Sequence, residues 1–387
     1  MKVCMIAYTF YEGDNRVMRY AEALAKGGNE VDVIALRKEG QPKEAMMNGV
    51  RVFQIQKRIK NEKGKLTYLY RLLMFFVRSF FFVSAKHLRN PYRLLHVHSV
   101  PDFLVFAAWI PRAMGAKVIL DIHDLLPELY ASKFGAGTKS RTFRSLALLE
   151  RLSAGFADHV IVANHIWQQR LISRSVPAEK CSVFLNYPDL SIFQPLGRTR
   201  FDGKFIVLYH GTLAWHQGLD IAIDAIATLK DKVPDMEFHI YGEGTTKDSL
   251  IQLAGKRGIS DRVLFHDAIP LREIVRVIEN ADLGVVPKRK DSFGDEAFST
   301  KTLEFMTLGV PIVVAATTVD RYYFNDRIVT FFSSGDMEDL AKCMLELICN
   351  PEARRKQVDG ARNFAKGYDW DLKKGEYLRL VNALTDS

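Results

Sequence analysis

"DLGVVPKRKDSFGDEAFSTKTLEFMTLGVPIVV" spans residues 282–314. It starts with one short apolar run, "DLGVVP" (282–287), and ends within another, "PIVVA" (311–315). Between them lie a polar loop and a helical pattern that starts near Ser299. Runs that are apolar at successive positions, separated by a helix, describe parallel strands covered on both faces. The stretch therefore reads as a strand–loop–helix–strand unit of a doubly wound sheet.

The same grammar repeats outward in both directions. Strands are expected at 2–8, 30–36, 50–55, 94–99, 117–122 and 159–163 in the first half. In the second half they are expected at 204–210, 236–242, 262–267, 282–287, 311–315 and 327–332, with helices between most of them. The chain has 387 residues, and 48% of them are apolar. That length suits two domains. The stretch "NYPDLSIFQPLGRTRFDG" (186–203) is rich in Pro, Gly and polar residues and reads as the boundary. The fold class is thus α/β, with two doubly wound Rossmann-like domains and the ligand site expected in the cleft where their sheets face each other.

Charge is unevenly spread within a formal net of +9. Residues 1–190 carry 28 Lys and Arg against 16 Asp and Glu, and the remainder carries 26 against 29. The first half should therefore face something anionic, such as nucleic acid or a membrane surface. Cys4, Cys181, Cys343 and Cys349 form no C-x-x-C pair and no metal-ligand spacing, so reduced thiols and a cytoplasmic setting are expected. "MKVCMIAYTF" reads as a first strand and not as a signal peptide.

In the opening stretch the chemistry gathers at the helix start. Free backbone N–H groups at a helix N-terminus favour a phosphate. Lys301 adds charge there, and Lys288 and Arg289 at the strand end could add more. Glu296 precedes the helix, and Glu304 lies about one turn inside it. Two carboxylates flanking a phosphate site suit a sugar nucleotide, whose hexose and ribose both present hydroxyls. The plainer alternative is an N-capped helix with surface acids.

Glu296, seven intervening residues and Glu304, followed by "FMTLGVPIVV", resemble the E-x7-E signature of retaining glycosyltransferases with the GT-B fold, especially family 4. "DNRVMRYAEALAKGGNEVDVIAL" (14–36), "DIHDLLPE" (121–128) and "YHGTLAWHQGLDIAIDA" (209–225) are similar to further family signatures, in the family's order. The resemblance implies an acceptor-side domain over residues 1–188, a donor-nucleotide domain over 203–366 and a closing helix over 367–387 that packs back toward the first domain. Glu296 is then expected to bond hydroxyls of the donor sugar, and Glu304 to hold the ribose. The backbone of Phe298, Ser299 and Thr300 is expected to meet the pyrophosphate. Gly13 is expected to let backbone approach donor and acceptor, or else to be an ordinary turn glycine. His123 is expected to line the transfer site, its plainer alternative being a loop histidine bonded to Asp121 or Asp124. Asp124 and Glu128 are expected to help bind the acceptor on the acceptor side or to shape this loop.

One signature departs from the family pattern. Many relatives carry an arginine and a lysine where this chain has Thr212 and Gln217. A diphosphate leaving group still needs charge stabilisation, which Lys288, Arg289 and Lys301 are expected to supply. Gly211 would permit a tight turn near the phosphates, and Gly242 and Gly244 in "YGEG" (241–244) would admit close backbone approach.

"LTYLYRLLMFFVRSFFFVSAKHLR" (66–89) is intensely apolar, yet interrupted by Arg71, Arg78, Lys86 and Arg89. At 100° per residue these four fall within about 80° of arc. So many charges make a poor spanning segment but suit a helix lying on an anionic bilayer with snorkelling basic heads. A core helix with one solvated face is the competing reading.

The leading expectation is a retaining hexosyltransferase. Its donor would be a nucleotide sugar, expected to be UDP-linked. Its acceptor would be a lipid-linked saccharide at the inner face of the cytoplasmic membrane, in surface-polysaccharide synthesis. No cofactor beyond the donor and no metal are expected, since no D-x-D motif stands where one would be needed. A sugar-nucleotide epimerase of the same architecture and a non-catalytic sugar-nucleotide binder are the alternatives. A Rossmann dehydrogenase is disfavoured because no G-x-G-x-x-G follows the first strand, and nucleic-acid binding because no known module is present.

Overall fold

In a computed structural model, residues 1–58, 65–135, 137, 139–190 and 192–386 are described. Ser191, inside the expected boundary, lies outside them. The chain divides into two compact units. The first comprises 1–131, 135–186 and 374–387, and the second 132–134 and 187–373.

The strands of the first unit are β1 (Lys2–Ala7), β2 (Glu30–Arg37), β3 (Glu44–Met47), β4 (Val50–Lys57), β5 (Leu94–His98), β6 (Lys117–Ile122), β7 (His159–Val162) and β8 (Cys181–Val183). They lie in the order β3-β4-β2-β1-β5-β6-β7-β8, parallel except for β3 against β4. Its helices are α1 (Asn15–Lys26), α2 (Lys65–Arg89), α3 (Trp109–Ala113), α4 (Leu126–Phe134), α5 (Arg141–Phe156) and α6 (His165–Arg174), with a 3-10 segment over Asp102–Ala108. The central strands are buried along their whole length, as runs covered on both faces must be.

The second unit has β9 (Phe205–His210), β10 (Met236–Tyr241), β11 (Val263–His266), β12 (Leu283–Val286), β13 (Ile312–Ala315) and β14 (Thr330–Phe332), all parallel, in the order β11-β10-β9-β12-β13-β14. Its helices are α7 (Leu219–Leu229), α8 (Lys247–Lys256), α9 (Leu271–Glu279), α10 (Thr300–Leu308), α11 (Thr318–Tyr323), α12 (Met337–Cys349) and α13 (Pro351–Ala365). The closing helix α14 (Trp370–Thr385) begins in the second unit, and from Lys374 it belongs to the first. There Tyr377 is fully buried, its hydroxyl 2.9 Å from Nδ1 of His96. Trp370 is buried, as a packing anchor should be.

All twelve strands expected from the sequence are present, and two more, β3 and β8, add edges to the first sheet. In the second unit the strand order reverses between β9 and β12. Such a switch point opens a crevice beyond the strand C-termini, the default ligand position of doubly wound sheets. Gly284 in β12 sets α10 close to the sheet, since a Cβ there would stand 2.9 Å from the ring of Phe305.

Helix α2 sits differently from the other long helices. Leu72, Phe75 and Val83 are buried, with Phe82 against Phe53 of β4 and Phe76 against Phe103. The opposite side carries Tyr70, Leu73, Val77, Phe81 and Leu88, all exposed, with Phe81 at 66%. Their spacing keeps them within about 80° of arc. Thr67–Arg89 is long and apolar enough to cross a bilayer by length and composition, yet only 28% of its most apolar window is buried. An outward-facing apolar stripe inverts the usual amphipathic arrangement of a surface helix.

Candidate active site

The second unit's site forms where β9 and β12 end. After β12, Lys288 turns inward. It is 1% exposed, and its ammonium donates to the carbonyl of Ala297 at 2.6 Å and pairs with Asp320 of α11 at 2.8 Å. The expectation that Lys288 faces a phosphate gives way here, because its charge is consumed in tying the 288–297 loop to α11. Arg289 is also engaged. Its guanidinium lies 3.7 Å over the indole of Trp215 and pairs with Asp220 of α7.

Asp291 accepts from the N–H groups of Phe293 and Gly294, and Asp295 accepts from Thr318, so the loop before α10 is pinned at both ends. Glu296 follows in a tight turn, its N–H donating to the carbonyl of Phe293, and the residue is half-buried. Phe298 stands edge-on to Tyr323 of α11. Ser299 has extended backbone and begins α10 without a side-chain cap. Its hydroxyl is buried without a partner, and so is that of Thr302. A buried hydroxyl without a hydrogen bond is costly and uncommon. Two at one helix N-terminus mark a place where a ligand's acceptors would be welcomed.

Lys301 projects from the first turn of α10 toward the loop after β9. Its chain rests on Gly211, where a Cβ would stand 2.9 Å from its Cε. Gly211 also has φ +124°, so a larger residue is excluded on two counts. The ammonium stands 5.2 Å over the ring of Tyr209, and among the described residues it makes no hydrogen bond. Burial pushes its pKa down to about 8, with Lys288 adding to the fall while Glu304 and Asp320 oppose it.

Tyr209 donates its hydroxyl toward the carbonyl of Thr212 at 2.8 Å and Oε1 of Gln217 at 3.2 Å. The two positions that replace the usual cations thus share one tyrosine, and Lys301 stands over it.

Glu304 is buried one turn along α10, with Oε2 3.4 Å from Nε2 of His210 at the end of β9. Burial, then Lys301, push the His210 pKa down to about 3, so the imidazole is neutral at ordinary pH. Its Nε2 is buried without a hydrogen-bond partner. The sequence reading passed over His210, although "YHG" places it at a strand end much as "DIHD" places His123. For Gly242 and Gly244 the space that a Cβ would fill holds the backbone of Gly211 and Leu213, at 1.9 and 2.0 Å. These glycines let two neighbouring loops lie against each other.

In the first unit a polar cluster lies past β5 and β6. Arg16 grips Asp121 with two hydrogen bonds, of 2.8 and 2.7 Å. Nε2 of His123 is 3.0 Å from Oδ2 of Asp121, and Nδ1 of His98 is 3.2 Å from the same oxygen. Burial alone would raise the Asp121 pKa, but Arg16 and His123 hold it well below the usual carboxylate range. A carboxylate accepts only, so the His123 nitrogen that faces Asp121, Nε2, carries a proton. The bond to Asp121 that the plainer reading anticipated is therefore present, and it fixes the ring.

His96, His98 and Asp121 bring potential metal ligands within 4.8 Å of one another. The Arg16 guanidinium already holds both Asp121 oxygens, which suits a hydrogen-bonded network better than a cation. Burial raises the Asp124 pKa, against His123 and Arg16. Glu128 is engaged within the fold, as its loop-shaping alternative would have it. It is 2% exposed and pairs with Arg174, which also holds Glu150, so it ties α4, α5 and α6 together. Gly13, by contrast, has nothing within 4 Å of where a Cβ would stand.

Comparison with known proteins agrees with both units. Residues 13–186 match the glycosyl transferase 4-like domain, and residues 197–364 match glycosyl transferases group 1. A D-inositol 3-phosphate glycosyltransferase of Thermomonospora curvata is 26% identical, over 96% of this chain and 90% of its own. A putative colanic acid biosynthesis glycosyl transferase, WcaI of Escherichia coli, is 24% identical over 67% of this chain and 65% of its own. Among solved structures, sucrose-phosphate synthase from Thermosynechococcus elongatus superposes with a TM-score of 0.83 at 17% identity, over 99% and 98% of the two chains. Anabaena Alr3699/HepE in complex with UDP-glucose gives 0.75 at 16% identity, over 99% and 100%.

This chain is a glycosyltransferase with the GT-B architecture of two Rossmann-like domains. Within that class it is similar to family 4.

Proposed function

We propose that the enzyme moves a hexose from a nucleotide sugar, UDP-linked, to a hydroxyl of a lipid-linked saccharide with retention of anomeric configuration. The observation that carries the reading is the α10 N-terminus. There the unpartnered hydroxyls of Ser299 and Thr302 and the ammonium of Lys301 adjoin Glu304 and His210. A diphosphate would satisfy the first three groups together. Glu304 then takes the ribose hydroxyls and Glu296 the hexose hydroxyls. In this assignment Lys301 replaces the cations missing at Thr212 and Gln217, and Lys288 and Arg289 brace the loops around it. The structural relative HepE, solved with UDP and with UDP-glucose, supports the choice of nucleotide.

With no carboxylate nucleophile assigned, transfer occurs on one face of the sugar. The bond from C1 to the diphosphate oxygen breaks while the acceptor oxygen bonds to C1. The acceptor proton passes to the departing phosphate, whose charge Lys301 and the helix N-terminus stabilise. His123 in the first unit is assigned to the sugar and Asp124 to the acceptor side. No metal is assigned a role. The name of the relative WcaI, in colanic acid biosynthesis, favours a saccharide acceptor. The exposed apolar stripe of α2, flanked by Arg71, Arg78, Lys86 and Arg89, favours one in a membrane. The enzyme then works at the cytoplasmic face.

The test is to incubate the protein with UDP-hexoses and lipid-linked glycans, following UDP release and the anomeric configuration of the product. Glu296→Gln is expected to lower kcat/KM by ~10²-fold or more, by analogy with removal of one transition-state donor. Full activity in that variant, or an altered sugar still attached to UDP without any acceptor, would refute the assignment.

A further inference from the structure

We infer that a groove between α2 and the β3–β4 hairpin holds the headgroup of an anionic phospholipid that carries a hydroxyl, such as phosphatidylglycerol. The inference rests on the membrane reading above and gives it a specific lipid site. The groove has a volume of about 720 Å³ and is rimmed by Arg37, Lys43, Arg78 and Lys86, with Glu44 the one acid among the described residues that line it. Such a rim suits a phosphate monoanion or diester.

Two polar atoms at the groove independently call for a ligand. Nε of Arg37 is buried without a hydrogen-bond partner, and so is Oε1 of Gln54, whose residue is 4% exposed. A phosphate oxygen satisfies the first, and a headgroup hydroxyl donates to the second. Lys86 is held in place by the rings of Phe53 and Phe82, its ammonium 4.3 Å from the first. Among the described residues Arg78 makes one long hydrogen bond, 3.5 Å, to the carbonyl of Ile55.

The choice of a lipid over a free anion follows from what stands beside the cations. Val77 and Phe81 line the same groove and belong to the exposed stripe of α2. A phosphate with acyl chains attached meets both surfaces at once. Basic side chains at a groove edge next to outward apolar ones match the boundary between headgroup and acyl layers.

The test uses the full-length protein in flotation with phosphatidylcholine vesicles, with and without phosphatidylglycerol. The wild type is expected to float only with the anionic vesicles. The double variant Arg78→Ala/Lys86→Ala should bind ~30-fold more weakly, from roughly 1 kcal/mol per basic residue near an anionic surface. A control of equal charge, Arg141→Ala/Arg144→Ala, should bind within a few-fold of wild type. Gln54→Leu should remove any preference for phosphatidylglycerol over phosphatidic acid, which lacks the headgroup hydroxyl. UDP binding and thermal unfolding report whether each variant is folded.

Equal losses in the groove variant and the charge control would overturn the site and leave the membrane reading standing. Failure of the wild type to float with either vesicle would overturn both. Equal flotation with neutral vesicles would remove the anionic headgroup. Binding of soluble glycerophosphoglycerol or inorganic phosphate as tightly as the vesicles would replace the lipid by a free anion.

Discussion

Lys288 and Lys301 leave the same strand–helix unit thirteen residues apart and meet opposite fates. Lys288 is buried against Asp320 and a carbonyl, its hydrogen bonds made within the protein. Lys301 is half-buried against Gly211 and an aromatic ring, with a lowered pKa and no hydrogen bond among the described residues. A buried cation satisfied by the fold holds the fold together. A half-buried one that makes no hydrogen bond beside a helix N-terminus is held ready for an anion. Sequence treats the two alike, as cations at a strand end and a helix start, and their surroundings separate them.

The largest effect should come from the unsatisfied member. Lys301→Ala is expected to lower kcat/KM by ~10²–10³-fold, the range found when one preorganised donor to a developing charge is removed. Thermal stability should change little, because the half-buried ammonium makes no hydrogen bond among the described residues. If UDP release were unchanged, the leaving-group role of Lys301 would be untenable. Lys288→Met should do the reverse. It strands Asp320 at 0% exposure, and breaking a buried pair from one side costs ~3–5 kcal/mol. A urea or thermal melt should show the loss, with substrate affinity nearly intact in the protein that remains folded. A stability within error of wild type would dissolve the contrast between the two lysines.

A pH titration sharpens the comparison without mutation. Lys301 has its pKa lowered to about 8 in the free enzyme, so below pH 8 it is already charged and donor affinity should be flat. A bound diphosphate stabilises the ammonium and raises that pKa, so binding above pH 8 takes up a proton. Affinity for UDP should then fall, by up to ~10-fold per pH unit, until the pKa of the complex is reached. Calorimetry in two buffers of different ionisation enthalpy would count the proton. The Lys301→Ala variant should lose the dependence, and a profile that stays level from pH 7 to 10 in the wild type would contradict it.

The contrast also marks where the sequence was legible. The alternation of apolar runs and helices fixed every central strand, because strands buried on both faces can hold little else. Edge strand β3, "EAMM", lacks β-branched residues and is half exposed, so its composition is silent. The signal that did exist was Asn48-Gly49, both at positive φ, the pairing that makes a tight hairpin. At the proposed site, the placement of Glu304 and Lys301 was readable because helix periodicity sets both within two turns of Ser299. The inward turn of Lys288 was not, since Asp320 lies beyond another helix and strand. The engagement of Glu128 was hidden for the same reason: Arg174 answers it from a helix that comes three elements later. His210 needed the parallel pairing of β9 with β12 to bring it beside α10.

The smallest effect tests the idea of an unsatisfied site most directly. Thr302 is fully buried in α10 with its hydroxyl unpartnered, so Thr302→Val keeps the shape and removes only that group. If the hydroxyl serves the fold, valine should destabilise by ~1 kcal/mol or more, as losing a typical hydrogen bond does. If it waits for the diphosphate, stability should be unchanged or raised by up to ~1 kcal/mol, since an unmade hydrogen bond no longer has to be buried. UDP affinity should meanwhile fall by ~2–10-fold, one neutral hydrogen bond's worth. Paired melts and calorimetry on this one variant separate the cases. A protein that loses stability while binding UDP as before would place Thr302 with Lys288, among the groups that hold the loop, and narrow the donor site to Ser299 and Lys301.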